Sequence, residues 1–427
     1  MQGNSKHRVV VTGLGWVTAL GTGVPAVWRR LVAGDNGIGP ISYFDASQYS
    51  ARVAAEVRNL PLLDSGLEAL PIGYCRRGPR LFLHAAREAH ADAGLSGAGL
   101  PAHRIGVAAG TTVNYVHMRL VHHYFRFRRP EAPHMDLARF AREGEQPATQ
   151  FYRRQGEMTS VLAAKALGLG GPNLAIDTAC AASAYAVGEA FRMIQRGQVD
   201  AMVAGGACSI VSPVAILAFA VLGALSSNPD PDQASRPFDR RRDGFVMGEG
   251  SGAVVLERLE HAQARGARIY GEIAGYGTTL NAANLTDPSP DGSSEERAMR
   301  LALREAALAP EEVDYVAAHG TSTAKNDVVE TTALKRVFGS HARRLMVSSN
   351  KGQIGHTISA AGVCNLICAL KAIDEGVVPP TAHYRDADPQ CDLDYVPNVG
   401  RPAQVRAALV NAFAFGGQNA VLAVRAA

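Results

Sequence analysis

The chain has 427 residues, 47% hydrophobic and 19% charged, with 43 basic against 39 acidic side chains and a net charge of +4. That composition describes a large, well-buried α/β protein and excludes extensive disorder, and so mild a charge gives no argument for nucleic acid as a partner. Cys75, Cys180, Cys208, Cys364, Cys368 and Cys391 show no disulfide-framework spacing, and Met1 to Arg8 contains no apolar signal region, so a reduced, cytoplasmic protein is expected.

A first strand opens at Arg8-Val-Val-Val-Thr-Gly-Leu-Gly, and short Val- and Ala-rich strands then alternate with helices and glycine turns. This is the pattern of buried strands covered by helices on both faces. Two basic clusters, Arg76, Arg77 and Arg80 and the run Tyr124-Phe-Arg-Phe-Arg-Arg129, suit an acidic partner carrying a phosphate; a solvated or dimer-packed face explains them equally well. Asn173 to Thr178 reads as a strand that turns directly into an alanine-rich helix ending at Gln195, where Gly197 supplies the stop. Cys180 stands at that junction. A thiol at a helix N-terminus meets the positive end of the macrodipole and unpaired N–H groups, which favour thiolate, although a small core residue is the plainer reading of an arbitrary cysteine.

The run Ala201 to Pro229 carries no charge and is long enough to span a membrane. Gly205-Gly206, Ser209, Ser212 and Pro213 divide it into an expected strand, Asp200 to Ala204, and a helix from Ala215 to Leu225, so no membrane insertion is expected. Further on, His319 lies in Val-Ala-Ala-His-Gly-Thr-Ser-Thr, and Lys351 and His356 lie in Ser-Ser-Asn-Lys-Gly-Gln-Ile-Gly-His-Thr. Each histidine adjoins a glycine at a strand end or loop, where functional side chains concentrate. Asp327 and Glu330, three apart, share one face of the intervening helix; a solvated acidic helix start is the alternative. No two histidines stand at i,i+4 with a nearby acid, so no metal is expected, and Cys364 and Cys368 read as core. Internal duplication is suggested by two pairs of segments: Arg8-Val-Val-Val with Arg268-Ile-Tyr-Gly, and Val199-Asp-Ala-Met-Val with Val313-Asp-Tyr-Val.

Taken in order, the Cys180 junction, Arg236-Pro-Phe-Asp, Arg242-Asp-Gly-Phe-Val-Met-Gly-Glu-Gly, the His319 segment, the Lys351 and His356 segment and Asn411-Ala-Phe-Ala-Phe-Gly-Gly-Gln-Asn resemble the elongating β-ketoacyl-acyl-carrier-protein synthases. The resemblance runs from Arg8 to Val424 and implies a thiolase-like fold of α-β-α-β-α layers, with residues 1–262 carrying the cysteine and residues 263–427 the histidines. It implies that Cys180 takes an acyl chain as a thioester. His319 and His356 would donate to the thioester oxygen of a malonyl group as it loses carbon dioxide, and the N–H groups of Cys180 and Phe415 would hold the second oxyanion. Lys351 would be buried and paired with Glu330, with Asp327 in support; a surface lysine is the alternative. Implied substrate-binding positions are Val113, Phe219, Thr286, Thr321, Thr323 and Phe413. Phosphopantetheine would arrive on the acyl carrier protein, leaving no cofactor of the enzyme's own, and the protein would form a homodimer or pair with a paralogous subunit.

Departures from the family pattern bear on the pathway. The stretch from Gly110 to Cys180 is long, Ala324-Lys325 replaces a proline neighbourhood, Gln418 stands where threonine is common, Gly223 occupies the place of a carrier-binding arginine, and Ser359-Ala-Ala-Gly is closer to polyketide ketosynthases. A fatty-acid enzyme and a specialised polyketide or polyene synthase both fit. A degradative thiolase would carry a second cysteine in the C-terminal glycine motif, which Phe415-Gly-Gly-Gln lacks. A chain-length-determining partner subunit would lack Cys180.

Overall fold

The computed structural model describes residues 6–61, 77–112, 118–129, 131, 134–144 and 155–427. Ten strands carry the architecture: β1 Val9–Thr18, β2 Ile105–Gly110, β3 Asn173–Ile176, β4 Ala201–Cys208, β5 Gly250–Arg258, β6 Gly271–Leu280, β7 Tyr315–Ala317, β8 Met346–Ser348, β9 Ala407–Phe413 and β10 Gln418–Arg425. The principal helices are α1 Arg77–Asp92, α2 Met158–Leu167, α3 Ala182–Gln195, α4 Pro213–Val221, α5 Ser293–Ala306, α6 Asn326–Phe338 and α7 Ala361–Glu375.

The strands run in the order β3-β2-β4-β5-β1 and then β6-β10-β9-β7-β8, the two runs meeting where Val9–Val11 pair antiparallel with Ile273–Gly271. Each run repeats one plan. Its second strand in sequence pairs parallel with both the third and the fourth, while the fourth, fifth and first pair antiparallel. The chain therefore consists of two halves of the same topology. β1 and β6 are equivalent, as the Arg8 and Arg268 segments suggest. The second suggested pairing is wrong: β4 corresponds to β9, and β7 to β2. The Val-Asp openings at Val199 and Val313 look alike because each precedes a buried strand, and local pattern does not carry sheet position.

Alternation along the strands builds three cores. Val254 and Leu256 of β5 join Ala408, Val410, Ala420 and Leu422 in a central layer with α3 and α7. Ala253 and Val255 face α1 on one outside, and Leu409 and Val421 face α5 and α6 on the other. The result is the expected α-β-α-β-α stack, with strands buried on both faces.

Helices α3 and α7 are equivalent, and both open from a strained 3-10 turn. Ala179 precedes Cys180 at φ 45°, and Ile358 precedes Ser359 at φ 38°; the two turns read Thr178-Ala-Cys-Ala181 and Thr357-Ile-Ser-Ala360. Positive φ at a non-glycine residue costs about 1–3 kcal/mol and is held only where surrounding packing enforces it.

The uncharged run is a strand followed by a helix, with different ends from those expected. β4 continues through Gly205-Gly206 because the glycines are sites of close approach: a Cβ on Gly205 would lie 2.1 Å from the carbonyl oxygen of Gly252. Ser212 caps α4 through Ala215 N–H, and Gly223 at φ 65° follows its end. Among the described residues no helix is long and apolar enough to cross a membrane. Gly205→Ala should destabilise the protein by about 1–3 kcal/mol in urea unfolding, whereas Gly97→Ala, with nothing within 4 Å of its Cβ, should stay within about 0.5 kcal/mol of the parent.

Candidate active site

Cys180 is buried at the start of α3, within the apolar cluster that contains Phe219, Phe245 and Met247. Burial dominates its acidity and pushes the thiol up to about 11, against the pull of the N–H groups of Phe415 and of Cys180 itself and of the Lys351 charge. Burial, which disfavours the charged form, works against the thiolate that a helix N-terminus favours. The Phe415 N–H is presented by a tight turn between β9 and β10. Gly416 and Gly417 adopt φ 84° and 78°, and a Cβ on Gly417 would meet the Asn281 carbonyl oxygen at 2.1 Å, so the turn requires glycine there.

His319 follows β7, and its position is set by α6. Glu330 accepts from the N–H groups of His319 at 2.8 Å and Gly320 at 2.7 Å, and from Asn411 Nδ2 at 2.9 Å. One turn earlier, Asp327 accepts from the N–H groups of Thr321, Ser322 and Phe238 at 3.0, 3.2 and 2.7 Å. Both carboxylates are fully buried and lie on one helix face, so the solvated-helix alternative falls. Burial raises the pKa of each, and the N–H donors oppose that rise. His356 is fixed through its backbone, its N–H donating to Val246 at 2.7 Å and its carbonyl accepting from Gly248 at 2.9 Å. The two imidazoles stand 5.4 Å apart, nearly perpendicular, with Phe245 edge-on to His356 and Phe413 against His319.

Desolvation, reinforced by the charge of Lys351, drives both histidines well below their ordinary value of 6.5. They are neutral at physiological pH and able to donate from one ring nitrogen. The Nδ1 atoms of both are buried and have no hydrogen-bond partner among the described residues.

Lys351 is 1% exposed, which rules out a surface lysine. The expected ion pair with Glu330 does not form. The oxygens of Glu330 are taken by the three donors above, and Nζ of Lys351 has no hydrogen-bond partner among the described residues. Burial lowers the lysine pKa, and the longer-range attraction of Glu330 opposes that shift most strongly.

One cleft is lined by Cys180, His319, His356, Thr321, Thr323, Thr286, Phe413 and Phe415. Thr321 and Thr323 hydrogen bond to each other at 2.9 Å, while Thr286 is exposed in a loop at the mouth. Phe219 is buried beside the cleft and stacks on Phe415 at 6.2 Å. Lys351, Glu330 and Asp327 lie behind the lining. Val113, Cys75 and Arg76 fall outside the described residues. Arg77 is engaged by Glu249 and by the Val57 carbonyl, which leaves it a structural role in the basic cluster. Among the described residues no group of His, Cys, Asp or Glu is arranged to hold a metal ion.

Sequence reasoning missed Asn411 and Arg242 as supports, although both stand in quoted motifs. Arg242 is buried against Asp327 and Asp388 and donates to the Thr323 carbonyl. Neither residue has a local signal, since their partners are remote in sequence.

The buried neutral histidines tie stability to pH. A histidine whose folded pKa is lowered keeps its full contribution above the unfolded value of 6.5, and loses it as the unfolded chain takes up protons below that value. Unfolding free energies from urea titration should fall from pH 6.5 toward pH 5, by up to about 1.4 kcal/mol per pH unit for each histidine, and His319→Gln with His356→Gln should flatten this limb.

Residues 6–262 match the β-ketoacyl synthase N-terminal domain, and residues 270–385 match its C-terminal domain. The chain is 42% identical to a 3-oxoacyl-[acyl-carrier-protein] synthase 2 of Synechocystis sp., over 98% of both chains. Among solved structures it superposes on the ishigamide ketosynthase/chain length factor with TM-score 0.85 and 35% identity, covering 99% of this chain and 100% of the other. A type II polyketide synthase acyl-carrier protein in complex with its ketosynthase gives TM-score 0.84 and 32% identity, with the same coverage. The extent of these matches, over a fold of two like halves with a cysteine at one central helix and two histidines across from it, means that the chain belongs to the β-ketoacyl synthase family.

Proposed function

We propose that the protein extends an acyl chain by two carbons through decarboxylative Claisen condensation, with Cys180 as the nucleophile. The observation that carries this reading is the cleft in which a thiol beside the Phe415 N–H faces two neutral imidazoles. In the first step Cys180 Sγ bonds to the acyl carbon of a carrier-borne thioester. The carbon–sulfur bond to the carrier breaks, and the Cys180 proton ends on the departing carrier thiol. A thiol acidity near 11 suits this exchange of one thioester for another, which leaves no free charge in the buried site.

In the second step malonyl thioester loses carbon dioxide, and its α-carbon keeps the electron pair as an enolate. N–H donation from His319 and His356 to the thioester oxygen stabilises that charge, a role worth about 3–4 kcal/mol per donor. The α-carbon then attacks the acyl carbonyl, whose oxyanion is received by the N–H groups of Cys180 and Phe415. Collapse breaks the bond to Cys180, which recovers one proton from solvent. Lys351 acts at a distance: its charge disfavours protonation of either histidine and so preserves the donor state.

The acyl chain lies along the apolar cluster around Cys180, with Phe219 on its wall, and the phosphopantetheine arm passes Thr321, Thr323 and Thr286. The partner is an acyl carrier protein, the reaction takes place in the cytoplasm, and the halves divide between residues 262 and 263. A dimer forms along β3, which pairs only with β2 among the described strands and leaves its other edge open. The 3-oxoacyl-[acyl-carrier-protein] synthase name of the Synechocystis relative and the type II polyketide synthase of one solved structure fit a fatty-acid and a polyketide chain alike.

Exposure to acyl-carrier substrate followed by mass spectrometry should place the acyl mass on the peptide containing Cys180. Cys180→Ala should abolish that mass and condensation but still release carbon dioxide. His319→Ala or His356→Ala should load acyl groups and lose roughly 10²- to 10³-fold in decarboxylation. Product formation by Cys180→Ala at the parent rate would end the proposal.

The pH profile tests Lys351. Both histidines titrate below 6.5, so decarboxylation should stay on its plateau as pH falls through that value. Lys351→Met removes a charge that lowers them, so its acid limb should move upward, toward pH 6.5. An unchanged limb would remove the electrostatic role.

A further inference from the structure

We infer that Asn365 is a positioning residue that locks three catalytic segments into one register, an inference that rests on the condensation reading above. Asn365 lies in the first turns of α7, 1% exposed, between Cys364 and Leu366. Its Nδ2 donates to the carbonyl of Ala318 at 2.9 Å and to that of Asn411 at 3.1 Å, and its Oδ1 accepts from Asn350 Nδ2 at 3.1 Å. Carbonyl oxygens only accept, so the amide orientation is fixed by its partners.

Each partner lies shortly before a proposed functional element. Ala318 precedes His319, Asn350 precedes Lys351, and Asn411 begins the run that leads through Phe413 to Phe415. All of these atoms are buried, so water cannot replace a lost bond. The network closes on itself, because the Asn411 side chain donates to Glu330, which accepts the His319 N–H. One carboxamide thus ties the imidazole that stabilises the enolate to the turn that stabilises the second oxyanion, and orients the turn that begins at Lys351. The Thr178–Ala181 elbow of Cys180 makes no hydrogen bond to it. Asn365 should therefore act most on decarboxylation, which depends on His319, and less on acyl transfer, whose thiol stands on an elbow it does not hold.

The test uses the full-length protein with acyl-carrier and malonyl-carrier substrates. Asn365→Leu removes both donors at similar volume. It should acylate Cys180 within about threefold of the parent rate, lose roughly 10- to 100-fold in kcat for decarboxylation, and keep KM for malonyl carrier within about twofold. Asn365→Asp keeps the shape and covers the case in which Asn365→Leu does not fold. Ionised, it presents only acceptors to two carbonyl oxygens; protonated, it regains one donor, so decarboxylation should recover as pH falls, which the parent does not show. Parent-like decarboxylation in Asn365→Leu, or a parent-like pH profile in Asn365→Asp, would overturn the positioning role. Failure of the unsubstituted protein to acylate Cys180 would instead overturn the condensation reading.

Discussion

The carboxylate of Glu330 has no access to water, and the rest of the site is arranged around that fact. An ion removed from solvent must be satisfied by donors, and here these are the N–H groups of His319 and Gly320 and the amide of Asn411. The requirement runs both ways: the helix holds the loop because the loop supplies what the helix needs. Asp327 repeats the arrangement one turn away, with Arg242 behind it, so the segment from His319 to Thr323 hangs from two buried anions on one helical face. Gly320 at φ 37° and Ser322 at φ 69° are the cost of turning that many N–H groups toward α6.

Burial acts toward neutrality on four further groups at the site. It raises Cys180, lowers both histidines and lowers Lys351. With the thiol and both imidazoles uncharged, the site is well suited to a reaction whose charge appears briefly on oxygen, because fixed N–H dipoles meet that charge as it forms. The lysine without a hydrogen-bond partner belongs to this logic, since its influence is exerted through space on the imidazoles.

What the amino-acid sequence disclosed divides along physical lines. The junction at Cys180 is legible because a strand running into an alanine-rich helix is a local pattern, and the α/β class is legible because strands buried on both faces lose their polar alternation, whereas the α-β-α-β-α layering comes with the family resemblance. The histidines were found through motif and glycine context. The missing ion pair between Lys351 and Glu330 was not legible: charge complementarity suggests it, but backbone donors brought by the loop occupy the carboxylate first. Asn365 is invisible as one polar residue in an apolar helix, since the carbonyls it meets, of Ala318 just past β7 and of Asn411 in β9, are remote in sequence. Gly205 misled in the opposite direction. Glycine that permits a neighbouring backbone to approach looks, in one dimension, like glycine that ends a strand.

The equivalence of α3 and α7 has a last consequence. Ser359 occupies in the second half the place Cys180 holds in the first, after an equally strained residue, yet its hydroxyl is buried and donates to the Ala207 carbonyl at 2.6 Å. One elbow leaves its side chain on the cleft, and the other uses its side chain as a rivet between the halves. Likeness of backbone thus leaves the centre chemically lopsided, with a thiol on one side of the pseudo-symmetry and a spent hydroxyl on the other.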